Sequence, residues 1–85
     1  MLRVIQQRIL LTLLKSRDPL TVRKLMNRAN IKFNIKGHIE VLENKKLIVI
    51  EEEKGFPRRK FISLTKRGRE VAELLLKIEA LLKDN

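Results

Sequence analysis

Residues 42–69 read LENKKLIVIEEEKGFPRRKFISLTKRGR. The run LIVI at 47–50 is short and largely β-branched, which predicts a strand. The loop KGFPRR at 54–59 contains both strong turn formers, and FISL at 61–64 predicts a second strand that returns antiparallel. Thr65 is a suitable N-cap for a helix that follows at once. This stretch therefore predicts a basic β-hairpin that leads directly into a final helix.

Three helices are predicted before the hairpin. Apolar residues at helical spacing place the first over residues 2–16, and Asp18-Pro19 ends it because the residue before proline leaves the helical region. Thr21 caps a short second helix, and residues 27–32 form a tight turn. The third helix covers residues 33–45. Its predicted buried stripe consists of Ile35, Ile39 and Leu42.

Composition excludes several classes of protein. The chain has 85 residues with 44% hydrophobic content, which suits one small folded domain over residues 1–85. The absence of cysteine excludes a disulfide scaffold, a thiol nucleophile and thiolate metal sites. The single histidine, His38, excludes the usual histidine-rich zinc site and most acid–base machinery. We therefore expect no cofactor, no metal and no enzymatic activity.

Charge is the most informative property of the composition. Lys plus Arg number 20 against 10 Asp plus Glu, so the net charge is +10 and the pI is about 10.6. Residues 54–69 hold seven basic residues and no acidic one, whereas residues 70–85 are slightly acidic overall. This surplus predicts a polyanionic partner, nucleic acid first and an anionic membrane surface second. No run of about 18 apolar residues is present to span a membrane.

The order helix, helix, turn, helix, strand, basic loop, strand, long helix is that of a winged helix-turn-helix domain. The segment LENKKLI at 42–48 is similar to the end of a recognition helix written L-E-x-K-G-L-I, with Lys46 where glycine is customary. The segment RRKFISLTKRGR at 58–69 resembles the wing and the following R-x-L-T-x-x-G-R passage of MarR-like and PadR-like transcription regulators. Small archaeal winged-helix regulators, some carried by viruses, are similar in size and in their cysteine-free composition, which is also typical of thermophiles.

The resemblance implies an α+β fold that is mainly α. Residues 1–64 would form a three-helix core with a two-stranded β-hairpin wing. Residues 65–83 would form a long C-terminal dimerisation helix.

In such a domain the second helix of the helix-turn-helix lies in the major groove and presents its first half to base edges. Asparagine pairs with adenine and lysine donates to guanine, and glycine allows close approach to the groove. The expected base-reading residues are Lys32, Asn34, Lys36 and Gly37. The alternatives are a capping role for Asn34, a solvated charge at Lys36 and a close helix contact at Gly37.

Cations on the second helix and on the wing are expected to contact the DNA backbone or the minor groove. They are Arg23, Lys24, Arg28, Lys54, Arg58, Arg59 and Lys60. Phe56, at the tip of the loop, is expected to pack back on the hairpin, with an exposed wedge as the alternative. His38 is expected to be a partly buried packing residue, and residues 51–53 a solvated strand end.

The last helix carries more leucine than one small core needs. Its seam has the 3-4 spacing of a helix pair, so we expect a homodimer; the alternative is a helix that covers only its own core. The expected interface residues are Val71, Leu74, Leu75, Ile78, Leu81 and Leu82. Participation of the first helix stays open.

The sequence thus favours a homodimeric, sequence-specific double-stranded DNA-binding regulator, a repressor of the cytoplasm associated with the nucleoid. No small-molecule effector is identifiable. The alternatives are a sequence-tolerant architectural DNA-binding protein and a protein-interaction winged helix.

Overall fold

A computed structural model describes residues 1–83; Asp84 and Asn85, the last two residues of the expected domain, lie outside the described residues. The predicted order of elements is confirmed. The elements are α1 (Val4–Lys15), α2 (Val22–Ala29), α3 (Lys36–Asn44), β1 (Ile48–Glu52), β2 (Lys60–Leu64) and α4 (Lys66–Leu82).

Helix α2 begins where predicted and ends later than predicted. The Thr21 hydroxyl accepts a hydrogen bond from the Lys24 backbone N–H at 3.2 Å, which satisfies one orphan donor of the first turn. The helix continues through Ala29 because Leu25 and Ala29, one turn apart, are both buried. Asn30 then ends it in a left-handed conformation at φ 55°, which asparagine tolerates better than most residues.

Helix α3 begins three residues later than the sequence predicts. The Asn34 side-chain oxygen accepts from the Lys36 backbone N–H at 2.8 Å and forms a local turn that competes with the helix. Ile35 therefore serves as the N-cap with φ −110° and ψ 13°, although its side chain is buried as expected. Ile39 and Leu42 are buried on the inner side of the helix, as predicted.

The two strands pair antiparallel and are longer than predicted at the loop end. Ile48 lies opposite Leu64, and Glu52 lies opposite Lys60, so opposite charges face each other beside the loop. An additional bridge, absent from the sequence-based expectation, joins Leu20 to Ile62 through N–H···O bonds of 2.9 and 2.7 Å. It fixes the segment between α1 and α2 against the hairpin.

Helix α4 joins the hairpin through a close contact. The Thr65 hydroxyl donates to the Lys46 carbonyl at 2.7 Å and accepts from the Gly68 backbone N–H at 2.9 Å. Gly68 lies directly against the backbone of Leu47, where a Cβ would overlap the Leu47 carbonyl. The T-x-x-G passage at residues 65–68 thus has a physical cause: a cap that bridges two elements, and a helix packed too close for a side chain.

One hydrophobic core lies among α1, α2, α3, the hairpin and the first half of α4. Its largest fully buried side chains are Ile9, Leu10, Leu25, Ile35, Leu42 and Ile62. The second half of α4, from Leu76 onward, is exposed along all its described length. Within residues 1–83, no helix combines the length and the apolar content that crossing a membrane requires.

Candidate nucleic-acid interface

A groove of about 460 Å³ separates α3 from α2 and from the hairpin stem. Its walls are mainly apolar, with Ile35, Ile39 and Ile62 among them, whereas Lys36 and Lys60 line it with their charged ends exposed. The structure therefore brings together two predicted base-reading residues, Asn34 and Lys36, and one predicted wing cation, Lys60. Glu40 and Glu43 of α3 line the same groove.

Of the four predicted base-reading residues, Lys36 and Gly37 lie in the first turn of α3, and Lys32 and Asn34 lie in the segment before it. Lys36 is the first residue of α3 and is exposed, and Lys32 is exposed in the preceding turn. Asn34 precedes the helix, and its oxygen accepts from the Lys36 backbone N–H in a local turn, whereas the N-cap itself is Ile35. A Cβ built on Gly37 would meet no described atom within 4 Å, so Gly37 makes no close helix contact in this chain. Base reading by these residues stays a prediction.

A second basic depression lies on the other side of α2. Lys24 and Arg28 border it together with Lys15 and Arg17 from the end of α1. Arg28 is held there because its guanidinium donates to the Ser16 hydroxyl at 3.3 Å. The sequence analysis did not include Lys15 and Arg17, although their place just before Asp18-Pro19 was a usable signal. Arg23 is exposed on α2 as well.

The hairpin holds one of its predicted DNA-contacting cations in place. The Arg59 guanidinium forms a two-point ion pair with the Glu53 carboxylate, with Nε–Oε1 at 2.9 Å and Nη2–Oε2 at 3.1 Å. It also lies over the Phe61 ring, 5.4 Å from the centroid. The hydrogen bond from Arg59 lowers the pKa of Glu53, and the same bond raises the pKa of Arg59. Glu53 is therefore a structural partner rather than part of a solvated strand end.

The other wing cations, Lys54, Arg58 and Lys60, are exposed. The expectation that Phe56 packs back on the hairpin is wrong, since its side chain is 95% exposed. The loop tip has no core within reach, and Arg59 already covers the nearby Phe61 ring.

His38 is the partly buried packing residue that the sequence predicts. The Gln6 side-chain oxygen accepts from the Arg3 backbone N–H at 3.1 Å, so the Gln6 amide group is left to donate to His38 Nδ1 at 3.2 Å. This bond assigns the proton of a neutral His38 to Nε2. It joins α3 to the start of α1 through Gln6, a buried polar residue that the sequence analysis did not identify.

The six predicted interface residues of α4 divide into two groups. Val71 and Leu75 are half-buried and pack against the core of their own chain. The other four are Leu74, Ile78, Leu81 and Leu82, with exposed fractions of 63%, 49%, 74% and 81%. An apolar stripe of this kind is unfavourable in water unless another surface covers it.

The excess of basic side chains favours an anionic partner for the protein. Among residues 1–83 the structure contains one ion pair, Glu53–Arg59, against a chain total of 20 basic residues. Helices α2, α3 and α4 have no acid in the first turn, where each instead carries at least one cation. Cations at the positive end of a helix dipole are unfavourable, and a bound polyanion relieves this repulsion. Within the same range, no cluster of three or more His, Cys, Asp or Glu residues is placed to hold a metal ion.

No protein-family model and no curated protein sequence matches the chain. Solved structures do match it. Staphylococcus aureus MarR in complex with salicylate and kanamycin has a TM-score of 0.72 and 28% identity over 92% of this chain and 53% of that one. NadR in complex with 4-hydroxyphenylacetate has a TM-score of 0.76 and 27% identity over 94% of this chain and 62% of that one. The chain has a MarR-like winged helix-turn-helix fold.

The fold likeness extends to a transcriptional regulator homologue protein from Pyrococcus horikoshii. Its TM-score is 0.76 at 22% identity, over 92% of this chain and 79% of that one. The chain spans little more than half the length of MarR and about three fifths of NadR. In this winged helix, α3 occupies the place of the recognition helix and the β1–β2 hairpin is the wing.

Proposed function

We propose that the chain is a double-stranded DNA-binding transcriptional regulator, a homodimeric repressor that reads a palindromic site. The observation that carries this proposal is the exposure of the predicted cations of α2, of the start of α3 and of the wing, the three elements that line one groove. The MarR-like fold supports it, because the matching solved structures include transcriptional regulators. The proposed repressor acts in the cytoplasm on nucleoid DNA, without enzymatic activity.

In the proposed complex, α3 lies in the major groove and Lys36 donates to guanine acceptors near the start of the helix. The wing cations contact the phosphates or the adjacent minor groove. The α2 side chains of Arg23, Lys24 and Arg28 bind phosphates and set the orientation of the domain. Lys15 and Arg17 extend this contact, because they share one depression with Lys24 and Arg28.

A sequence-tolerant architectural binder is the second candidate, and a specific observation favours it. Bidentate pairing with adenine uses the asparagine side-chain oxygen as an acceptor. In Asn34 that oxygen already accepts from Lys36, and Gly37 has no side chain to offer. If Asn34 keeps this hydrogen bond on DNA, few side chains at the start of α3 are left to discriminate between bases.

Selection of duplexes from a random pool, at a low and a high salt concentration, separates the two candidates. Lys36→Ala tests the recognition helix, and the double variant Lys54→Ala/Arg58→Ala tests the wing. Arg59 is left unchanged because its guanidinium is paired with Glu53. Lys77→Ala, which removes an exposed cation from α4, is the matched control.

A specific regulator yields a palindromic motif that persists at high salt. Lys36→Ala then weakens the selected site far more than unrelated duplexes, whereas the wing variant weakens all duplexes and lowers the salt slope. Uniform binding that collapses as salt rises supports the architectural candidate. Absence of binding at low salt rules out both and leaves a protein-interaction module.

A further inference from the structure

Phe56 is held away from the rest of the protein at the tip of the wing. Its side chain is 95% exposed, although the same hairpin has room to cover a phenyl ring: Phe61, five residues later, is half-buried beneath Arg59. The hairpin therefore packs one phenylalanine and presents the other.

The stem below Phe56 is braced, so the tip is not an unsupported loop. Arg59 joins Glu53 through the two-point ion pair, and the Glu53 backbone N–H donates to the Arg59 carbonyl at 2.9 Å. Above this closure the Arg59 backbone N–H donates to the Pro57 carbonyl at 3.1 Å. These bonds fix the place of the tip relative to the stem and limit the entropy that Phe56 would lose on binding.

The surroundings of Phe56 match a nucleic-acid ligand. Lys54 and Arg58 flank it at a spacing of two residues on either side, and both are exposed. The hairpin stem and α3 border the same groove, with Lys60 and Lys36 both lining it. With α3 in a major groove, the wing lies beside α3, and its tip presents one apolar group between two cations.

We infer that Phe56 is a wedge that enters the minor groove and partly unstacks a base step, while Lys54 and Arg58 bind the phosphates on either side. Apolar side chains inserted in this way kink DNA toward the major groove, and flexible pyrimidine–purine steps such as TA yield most easily. Phe56 would thus add a preference for a deformable step at a position whose base edges the protein does not read. The inference rests on the proposed DNA binding and adds a mechanism of sequence preference to it.

The test uses the full chain and short duplexes in which 2-aminopurine replaces the adenine of a central TA step, at low salt. Fluorescence of 2-aminopurine reports unstacking, energy transfer between the duplex ends reports bending, and anisotropy reports affinity. A duplex with the TA step replaced by an A-tract is the stiff comparison.

The wild-type chain is expected to raise the fluorescence and bend the TA duplex. Phe56→Ala abolishes both effects and weakens binding to the TA duplex about tenfold, with a smaller effect on the A-tract. Phe56→Leu keeps an apolar wedge and retains most of the signal. Val49→Ala, which trims an exposed apolar residue of β1, behaves as wild type. Thermal unfolding of Phe56→Ala matches wild type, because a 95% exposed ring contributes little to the core.

Three outcomes overturn the inference. Binding without unstacking or bending, or with equal signals from wild type and Phe56→Ala, removes the wedge and leaves the proposed DNA binding intact. Phe56-dependent binding to phosphatidylserine vesicles, without a Phe56 effect on duplexes, assigns the tip to a membrane surface instead. Absence of duplex binding by the wild-type chain overturns the proposed function itself and the wedge with it.

Discussion

Lys46, between α3 and β1, adopts a backbone conformation that favours glycine. Its φ is 62°, in the left-handed region. Both sides of the residue are fixed: the Lys46 backbone N–H donates to the Glu43 carbonyl at 2.9 Å, and the Lys46 carbonyl accepts from the Thr65 hydroxyl at 2.7 Å. An L-residue pays about 1–2 kcal/mol for this conformation. The similar L-E-x-K-G-L-I pattern therefore has glycine at this position because glycine adopts the left-handed conformation without steric cost.

Lys46→Gly is expected to raise the free energy of unfolding by about 1 kcal/mol, because glycine adopts positive φ without the steric cost. Urea denaturation followed by circular dichroism measures the change. Lys45→Gly is the matched control: Lys45 is right-handed at φ −81°, so its replacement should lower stability by about 0.5–1 kcal/mol. A lower midpoint for Lys46→Gly would show that the left-handed turn is not the solution conformation.

Gly68→Ala is expected to destabilise the protein by about 1–3 kcal/mol, since the added methyl would overlap the Leu47 carbonyl and push α4 from the hairpin. Gly37→Ala is the matched control in a helix with open space around the glycine, and it should gain about 1 kcal/mol. Thermal and urea unfolding measure both. Equal effects of the two substitutions would contradict the close contact between α4 and Leu47.

At the scale of elements, the sequence predicts the type and order of the helices and strands well. The spacing of apolar residues reports which side of an element is buried, and proline and glycine mark where elements end. Thr21 and Thr65 cap the helices for which they were predicted. Boundaries are less accessible where a side chain competes with the backbone. Asn34 delays the start of α3 through one hydrogen bond, and no periodicity encodes which of two local hydrogen-bond patterns wins.

The sequence predicts which cations of the candidate site are exposed. It does not predict which side chains those cations contact. The pairing of Arg59 with Glu53 depends on the hairpin register and on the path of the loop, neither of which composition determines. The exposure of Phe56 has the same origin, because it depends on whether any apolar surface lies within reach of the tip. Lys15 and Arg17 join Lys24 only after α1 and α2 have packed together.

The wing should lose stability at low pH, because protonation of Glu53 removes its ion pair with Arg59. The hydrogen bond from Arg59 lowers the pKa of Glu53 below its ordinary value of 4.5, so the ion pair stabilises the folded wing above that value. The contribution is lost as the pH falls through the lowered pKa. A carbon-detected NMR titration is expected to give a Glu53 midpoint below 4.5 in wild type and a higher midpoint in Arg59→Gln. Arg58→Gln should leave the midpoint unchanged; a shift equal to that of Arg59→Gln would contradict the specific pair.

At the scale of the whole molecule, the exposed leucines are concentrated on one element. The exposed leucines lie along α4, whereas the predicted DNA-contacting cations lie on α2, at the start of α3 and on the wing. The described residues extend over 49 × 26 × 23 Å, an elongated shape for so short a chain. The first half of α4 covers its own core and the second half covers nothing among residues 1–83, which is the arrangement expected when a second copy completes the fold.

We expect a dimer that the double variant Leu74→Glu/Leu81→Glu converts to a monomer, because two carboxylates in the exposed stripe would be buried without partners. Leu76→Glu is the matched control: Leu76 is exposed but lies about 200° around the helix from Leu74. Sedimentation equilibrium measures the mass, and circular dichroism confirms that the variants stay folded.

Loss of the dimer should also be visible on DNA. Two recognition helices bind half-sites about one helical turn apart, so a dimer gains from both at once. The monomeric variant should bind a palindromic duplex about 100-fold more weakly than wild type and bind a single half-site almost as well. A wild-type chain that is monomeric in both free and DNA-bound states would contradict the dimer. A palindromic DNA site would then have no counterpart in the symmetry of the protein, and α4 would pack only against the core of its own chain.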